Sequence, residues 1–243
     1  MPSGIVIAGT HSGVGKTTIT LALLAALRRR GMTVAPFKVG PDFIDPGHHR
    51  AAAGRDSRNL DGWMLGRETC REIFSGATAE TDFAVVEGVM GLFDGAVGDR
   101  DDGSTSEMAK WLKLPVVLIV DAEAMARSAA AVVKGFKEFD PDLRVAGVIF
   151  NRIGGPGHLE YLREAMGAVA GVEILGGLIR DEQIHTPERH LGLTTVEERT
   201  PGQDMLARLA DWFETGVNLD RLTGIAAELD SSDRDDAAAR ASR

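Results

Sequence analysis

The sequence predicts an α/β fold, a doubly wound and mostly parallel sheet, from two observations. Short aliphatic runs recur along the 243-residue chain, separated by longer segments whose apolar residues fall at helical spacing. Most of these runs are apolar throughout rather than alternating, as strands covered by helices on both faces require.

In chain order the strand candidates are 5–8, 34–38, 83–87, 116–121, 145–151 and 173–178. Between the first two lies a helix over 16–30, with Ile19, Leu23, Ala26 and Leu27 on one stripe and Gly31 where a C′ glycine belongs. Ser104, Thr105, Ser106 and Glu107 read as a capping box opening a helix through Met108 to Leu112. A helix over 125–139 carries Met125, Ala129, Val132, Val133 and Phe136 on one stripe, and another spans about 203–214. Alternating β and α elements imply right-handed crossovers. One domain over 1–216 is expected, followed over 217–243 by a C-terminal helix and a flexible linker that is nearly free of apolar mass from Asp230 onward.

Composition narrows the function. A net charge of −9 argues against broad binding to nucleic acid or anionic membrane, so an anionic ligand has to be held by local features. The N-terminus lacks a leader pattern, the longest apolar runs are strand-length, and the single cysteine, Cys70, permits no internal disulfide; the expected location is the cytoplasm. Cys70 lies in a plain helical pattern that suits a buried, neutral thiol. The pair His48 and His49 lacks further ligands at metal spacing and reads as structural or surface. His185 and His190 flank a loop; contact with a substrate is one reading, which spacing does not decide.

The chemistry begins where the first strand runs into Gly9, Gly13, Val14, Gly15, Lys16, Thr17 and Thr18, then a helix. Glycines let backbone N–H groups turn around phosphates, the helix N-terminus adds partial positive charge, and Lys16 reaches the β and γ oxygens. The order predicts an ATP-gripping loop, with Thr17 placed on Mg²⁺. Gly9 and Gly15 enclose five residues, one more than the common form. A dinucleotide fingerprint starting at Gly13 fails because its third glycine position is Thr18. The bland alternative is a glycine-rich turn beside a solvated lysine.

Ligands of open α/β sheets bind at strand carboxyl ends, and two acidic groups stand there. Lys38, Asp42 and Asp45 follow the second strand; the acids could hold Mg²⁺ and Lys38 could neutralise phosphoryl charge, or the proline-rich segment could be only a turn. Glu87 ends the third run before a glycine, where phosphate-loop proteins put a second Mg²⁺-site acid; Asp94 could simply shape the turn. Asn151 closes the fifth run, either reading an adenine edge or capping the turn before Gly154.

The strings GTHSGVGKTT, FKVGPDFIDP, SRNLDGWML, VVEGVMGLFDG, GSTSEMAK, DAEAMARSAAAVVKGF, AGVIFNR and PERHLGL, in that order over about 4 to 192, closely resemble the cobyrinic acid a,c-diamide synthase family. Its wider relatives are dethiobiotin synthetase and cobyric acid synthase, so the resemblance implies a dethiobiotin synthetase-like P-loop NTPase fold. It also implies an ATP- and Mg²⁺-dependent carbon–nitrogen ligase of cobalamin biosynthesis. ATP would phosphorylate the c and a carboxylates of cobyrinic or hydrogenobyrinic acid, and ammonia would displace the phosphate. On this resemblance the loop residues and Lys16 hold phosphates, Thr17, Asp42 and Glu87 hold Mg²⁺, and Lys38 stabilises the transferred group. Asn151 contacts adenine, and Asp45, Ser104 and Thr105 face the substrate.

The family usually continues into a glutaminase domain that releases ammonia. The sequence stops before one, which reads as a truncated chain or a stand-alone synthetase half supplied with ammonia by a partner; a homodimer stays open. Two enzyme alternatives are an amidoligase acting on nickel sirohydrochlorin and dethiobiotin synthetase itself. From another class comes a partition-type switch ATPase, disfavoured because no lysine precedes Lys16 in the loop.

Overall fold

The structure, a computed structural model, describes residues 2–184 and 201–229. Seven parallel strands run β1 (Ser3–Gly9), β2 (Val34–Val39), β3 (Arg58–Leu60), β4 (Phe83–Glu87), β5 (Val116–Asp121), β6 (Val145–Ile153) and β7 (Glu173–Ile179), in the spatial order β3-β2-β4-β1-β5-β6-β7. A short β8 (Ala227–Glu228) pairs antiparallel with β1. The helices are α1 (Lys16–Arg29), α2 (Asp45–Ala53), α3 (Gly62–Thr78), α4 (Thr105–Leu112), α5 (Arg127–Phe139), α6 (Pro156–Met166), α7 (Gln203–Gly216) and α8 (Leu219–Ile225).

The continuous apolar strands have the cause expected of them. In β1, Val6 and Ala8 enter a core closed by α3, α4, α5 and α6, while Ile5 and Ile7 enter one closed by α1, α2, α7 and α8. Both faces of the strand are covered, so both parities are apolar. None of the helices among the described residues is long and apolar enough to cross a membrane.

Beyond shifts of one or two residues at element ends, the structure departs from the sequence reading in several places. β3 was not expected, because Arg58, Asn59 and Leu60 form no apolar run; its backbone is held by parallel pairing with β2, Lys38 opposite Asn59. The helix expected over 125–139 starts at Arg127, since Ala124 just upstream has φ 58 and Met125 lies outside it. In the capping box, Ser104 Oγ accepts from Glu107 N at 3.1 Å, but the Glu107 carboxylate accepts from Gly103 N rather than from the cap residue. Beyond 216, α8 buries Leu219 and Leu222 in the core and β8 closes onto β1. The linker expected from Asp230, His185, His190 and the PERHLGL string lie outside the described residues.

Candidate active site

Every group of the site sits at the carboxyl edge of the central strands. Between β1 and α1 the loop turns at Gly13 and Gly15, whose φ values are 84 and 98. At Gly15 that left-handed backbone coincides with close packing: an added Cβ would lie 2.4 Å from Asn151 Nδ2. No side chain caps α1, which leaves its first N–H groups to the loop's concave side. Lys16, largely buried, donates from Nζ to His11 O at 3.2 Å and to Met90 O. Val14 is buried and Thr18 lies in the first helical turn.

Beside the loop lies a polar cluster that is buried except at Thr17 and Ser57. Parallel register sets Lys38 of β2 opposite Glu87 of β4. Lys38 Nζ lies 2.6 Å from Asp45 Oδ2 and 2.7 Å from Glu87 Oε1, and also donates to Gly88 O at 3.3 Å. Thr17 Oγ1 donates to Glu87 Oε1 at 2.6 Å and makes a longer contact, 3.5 Å, with Asp45 Oδ2. His49 Nε2 meets Glu87 Oε2 at 2.6 Å, and its Nδ1 meets Ser57 Oγ at 3.1 Å. Lys38 is 2% exposed and Glu87 0%. Burial opposes both charges, but Glu87 and Asp45 outweigh it at Lys38 and raise its pKa. Burial is likewise outweighed at Glu87, which Lys38 and His49 hold well below the usual carboxylate range.

Asp42 and Asp45 part company here. Asp42 Oδ1 accepts from Ile44 N at 2.8 Å and Asp45 N at 2.9 Å, capping the start of α2. Asp45, expected toward the substrate, instead enters the Thr17 and Glu87 cluster. Mg²⁺ asks for hard oxygen donors and tolerates few protein ligands, filling its octahedron with water and phosphate. Thr17, Asp45 and Glu87 supply such donors at the loop mouth. Among the described residues no group of three or more His, Cys, Asp or Glu side chains forms a ready-made metal cage.

The carboxyl end of β6 braces the loop. Asn151 Nδ2 donates to Val14 O at 2.8 Å, and its Oδ1 accepts from Arg152 N at 2.9 Å. Arg152, at φ 55, turns its guanidinium onto Asp121 and onto Gly13 O at 3.0 Å. Asn151, expected at adenine, is thus engaged with the loop backbone.

Ser104 and Thr105, expected on the substrate side, are both buried. Thr105 Oγ1 accepts from Val89 N at 3.0 Å and donates to Val89 O at 3.1 Å, fixing the turn behind Glu87, while Ser104 caps α4. Asp94 Oδ2 accepts from Gly91 N at 2.8 Å and shapes its turn. Cys70 is buried, and burial pushes its thiol up to about 11.

Sequence reasoning missed His49 and Arg152. His49 follows Asp45 by one helical turn on α2, so the i, i+4 spacing was a usable signal. Arg152 left no signal beyond its place at a strand end.

Residues 5–193 match the family described as CobQ/CobB/MinD/ParA nucleotide binding domain. Three curated relatives are a cobyrinate a,c-diamide synthase of Syntrophotalea carbinolica, a hydrogenobyrinate a,c-diamide synthase of Streptomyces coelicolor and a cobyrinate a,c-diamide synthase of Dehalococcoides mccartyi. They are 51%, 48% and 45% identical to this chain over 93%, 91% and 91% of its length. Those matches cover 49%, 46% and 48% of the relatives, so the chain spans about half their length. Among solved structures, the signal recognition particle receptor FtsY of Elizabethkingia anophelis, in complex with GDP, superposes with a TM-score of 0.54 at 13% identity. The superposition covers 86% of this chain and 63% of that one, a likeness of fold alone.

Proposed function

The chain belongs to the CobQ/CobB/MinD/ParA nucleotide binding domain family, and on that premise we propose that it activates carboxylates of a corrinoid with ATP for amidation. The observation that carries this reading is the buried cluster at the loop mouth. Thr17 meets Glu87 at 2.6 Å, and Lys38 bridges Glu87 and Asp45 at 2.7 and 2.6 Å. Fixed charges of both signs beside a phosphate loop suit phosphoryl transfer, where positioning and charge stabilisation supply most of the catalysis. The names of the curated relatives, cobyrinate and hydrogenobyrinate a,c-diamide synthase, support cobyrinic or hydrogenobyrinic acid as the substrate.

In this mechanism the loop amides from Gly13 to Thr18 hold the phosphates, and Lys16 leaves the Met90 carbonyl for the β and γ oxygens. Thr17, Asp45 and Glu87 would hold Mg²⁺, which supplies charge neutralisation between the phosphates when bound. Asp42 keeps Asp45 in register by capping α2, and His49 orients Glu87. A substrate carboxylate oxygen attacks the γ-phosphorus, the bond to the β-phosphate oxygen breaks, and ADP leaves. Lys38 faces the transferred phosphoryl group. Ammonia then attacks the acyl carbon, loses a proton, and expels inorganic phosphate, leaving an amide.

Free ammonia is the nitrogen donor to test, since Cys70 is buried with its thiol pushed up to about 11, which does not suit a nucleophile toward glutamine. Incubation with ATP, Mg²⁺, ammonium and cobyrinic acid should lower the corrinoid mass by about 1 Da per carboxylate amidated, as OH becomes NH₂. Unchanged corrinoid, or ATPase activity stimulated by DNA or a protein partner instead, would refute the reading.

A further inference from the structure

The carboxyl edge of β3 carries a feature that neither packing nor hydrogen bonding among the described residues explains. Asp61 caps α3, its Oδ1 accepting from Trp63 N at 3.0 Å and Met64 N at 3.1 Å. One turn later the helix breaks at Gly66, with φ 75 and ψ 171. The turn between cap and break presents three consecutive large apolar side chains: Trp63 is 69% exposed, Met64 71% and Leu65 41%. Past the break, Cys70 and Phe74 are buried in the usual way.

The exposed turn is firmly seated. A Cβ on Gly62 would lie 3.1 Å from Glu107 Oε2 and 3.1 Å from the Trp111 ring, so this residue lies flat on α4. Gly103 passes just below Trp63, whose Cβ is 3.9 Å from where a Gly103 Cβ would stand. Isolated exposed apolar residues are ordinary, but a run of three on a fixed turn marks a surface that something covers.

Its place in the sheet says what. β3 borders β2, and β2 borders β4, so the turn leaves the edge two strands, roughly 10 Å, from the end of β4 that carries Glu87. Asn59, two residues before the cap, is paired with Lys38 and donates from Nδ2 to Asp42 O at 2.7 Å. The apolar turn and the charged cluster therefore share one rigid rim. A ligand touching both needs a broad, rigid, apolar face and carboxylates on its periphery, which is the chemistry of a corrin macrocycle. Indole and thioether groups favour a polarisable ring face. Arg67, just past the Gly66 break, is exposed, whereas Arg100 near Gly103 is paired with Asp99 at 3.8 Å and Asp102 at 3.4 Å.

We infer that Trp63 and Met64 form the platform on which the corrin face rests while one peripheral carboxylate reaches the transferred phosphoryl group at the loop mouth. This rests on the amidation reading above and adds the specificity-determining surface. Both side chains are positioning groups, distant from the reacting atoms.

The test is Trp63→Ala and Met64→Ala, singly and together, assayed with cobyrinic acid, ATP, Mg²⁺ and ammonium. The double variant should raise the Kd and KM for cobyrinic acid at least about tenfold, as losing aromatic and thioether contact implies. Its kcat at saturation, its KM for ATP and its melting temperature should stay near wild type, because both side chains are exposed. Trp63→Phe should recover much of the affinity. Unchanged corrinoid affinity in the double variant overturns the platform, as does a change confined to self-association. If wild-type chain binds ATP but neither binds nor amidates cobyrinic acid, the amidation reading falls first, which separates the two failures.

Discussion

Lys38→Met removes the cation shared by the two buried carboxylates of the cluster. Lys38 Nζ is the shared partner of Asp45 at 2.6 Å and Glu87 at 2.7 Å, and burial leaves it 2% exposed. Without the ammonium, two carboxylate oxygens that both lie within 2.7 Å of its nitrogen, and so at most about 5 Å apart, face each other, a repulsion of at least about 3 kcal/mol at an effective dielectric of about 20. Removing one partner from a buried ion pair typically costs about 3 to 5 kcal/mol, a large part of the roughly 5 to 15 kcal/mol that hold a domain folded.

The pH dependence gives the sharper signature. In the wild type, Glu87 is held below its ordinary pKa. That stability is present above the unfolded value of about 4.3 and is lost as pH falls through the folded one. In Lys38→Met the two carboxylates repel, Glu87 loses the ammonium that holds it low, and acid relieves the penalty. Urea unfolding without Mg²⁺ should therefore show a loss of about 3 to 5 kcal/mol at pH 8 and a clearly smaller loss at pH 5. A loss under about 1 kcal/mol, or one equal at both pH values, contradicts the reasoning.

Three further outcomes follow from the same geometry. Gly15→Ala forces φ 98 on a residue with a Cβ that would meet Asn151 Nδ2 at 2.4 Å; ATP binding by calorimetry should fall at least about 100-fold. His49→Ala removes the 2.6 Å partner of Glu87 Oε2, so Mg²⁺-dependent ATP affinity should weaken about tenfold or more while Mg²⁺-free binding holds. Equal losses with and without the metal would show that His49 acts on the fold instead. Cys70, buried with its thiol near 11, should be about 0.1% thiolate at pH 8 and inert to thiol reagents until urea unfolds the chain. Rapid labelling of native protein would place the residue differently.

What the sequence made legible was whatever is encoded locally. A strand, a glycine turn and Lys16 leading into α1 constrain one another within a few residues, and Glu87 ends an unbroken apolar strand. The same holds for the two-sided apolar strands that fixed the fold class. The rest depends on partners far along the chain. β3 has no apolar signal, and exists through its pairing with β2. Asp42 and Asp45 share one turn-like segment, and only the direction of α2 turns the first toward backbone N–H groups and the second toward Thr17. Ser104 and Thr105 looked like substrate hydroxyls, but the fold closes over them and uses them on α4 and Val89. Asn151 stands at the expected edge, yet its amide reaches back to Val14, a contact between residues 137 positions apart.

The most direct test of carboxylate activation is the fate of the substrate oxygens. With ATP, Mg²⁺, ammonium and cobyrinic acid labelled with ¹⁸O in its carboxylates, attack on the γ-phosphorus carries one labelled oxygen into each phosphate released. That phosphate should be about 2 Da heavier, one labelled phosphate per amide formed. Phosphate without the ¹⁸O label, with amide forming or not, would contradict an acyl phosphate at this site.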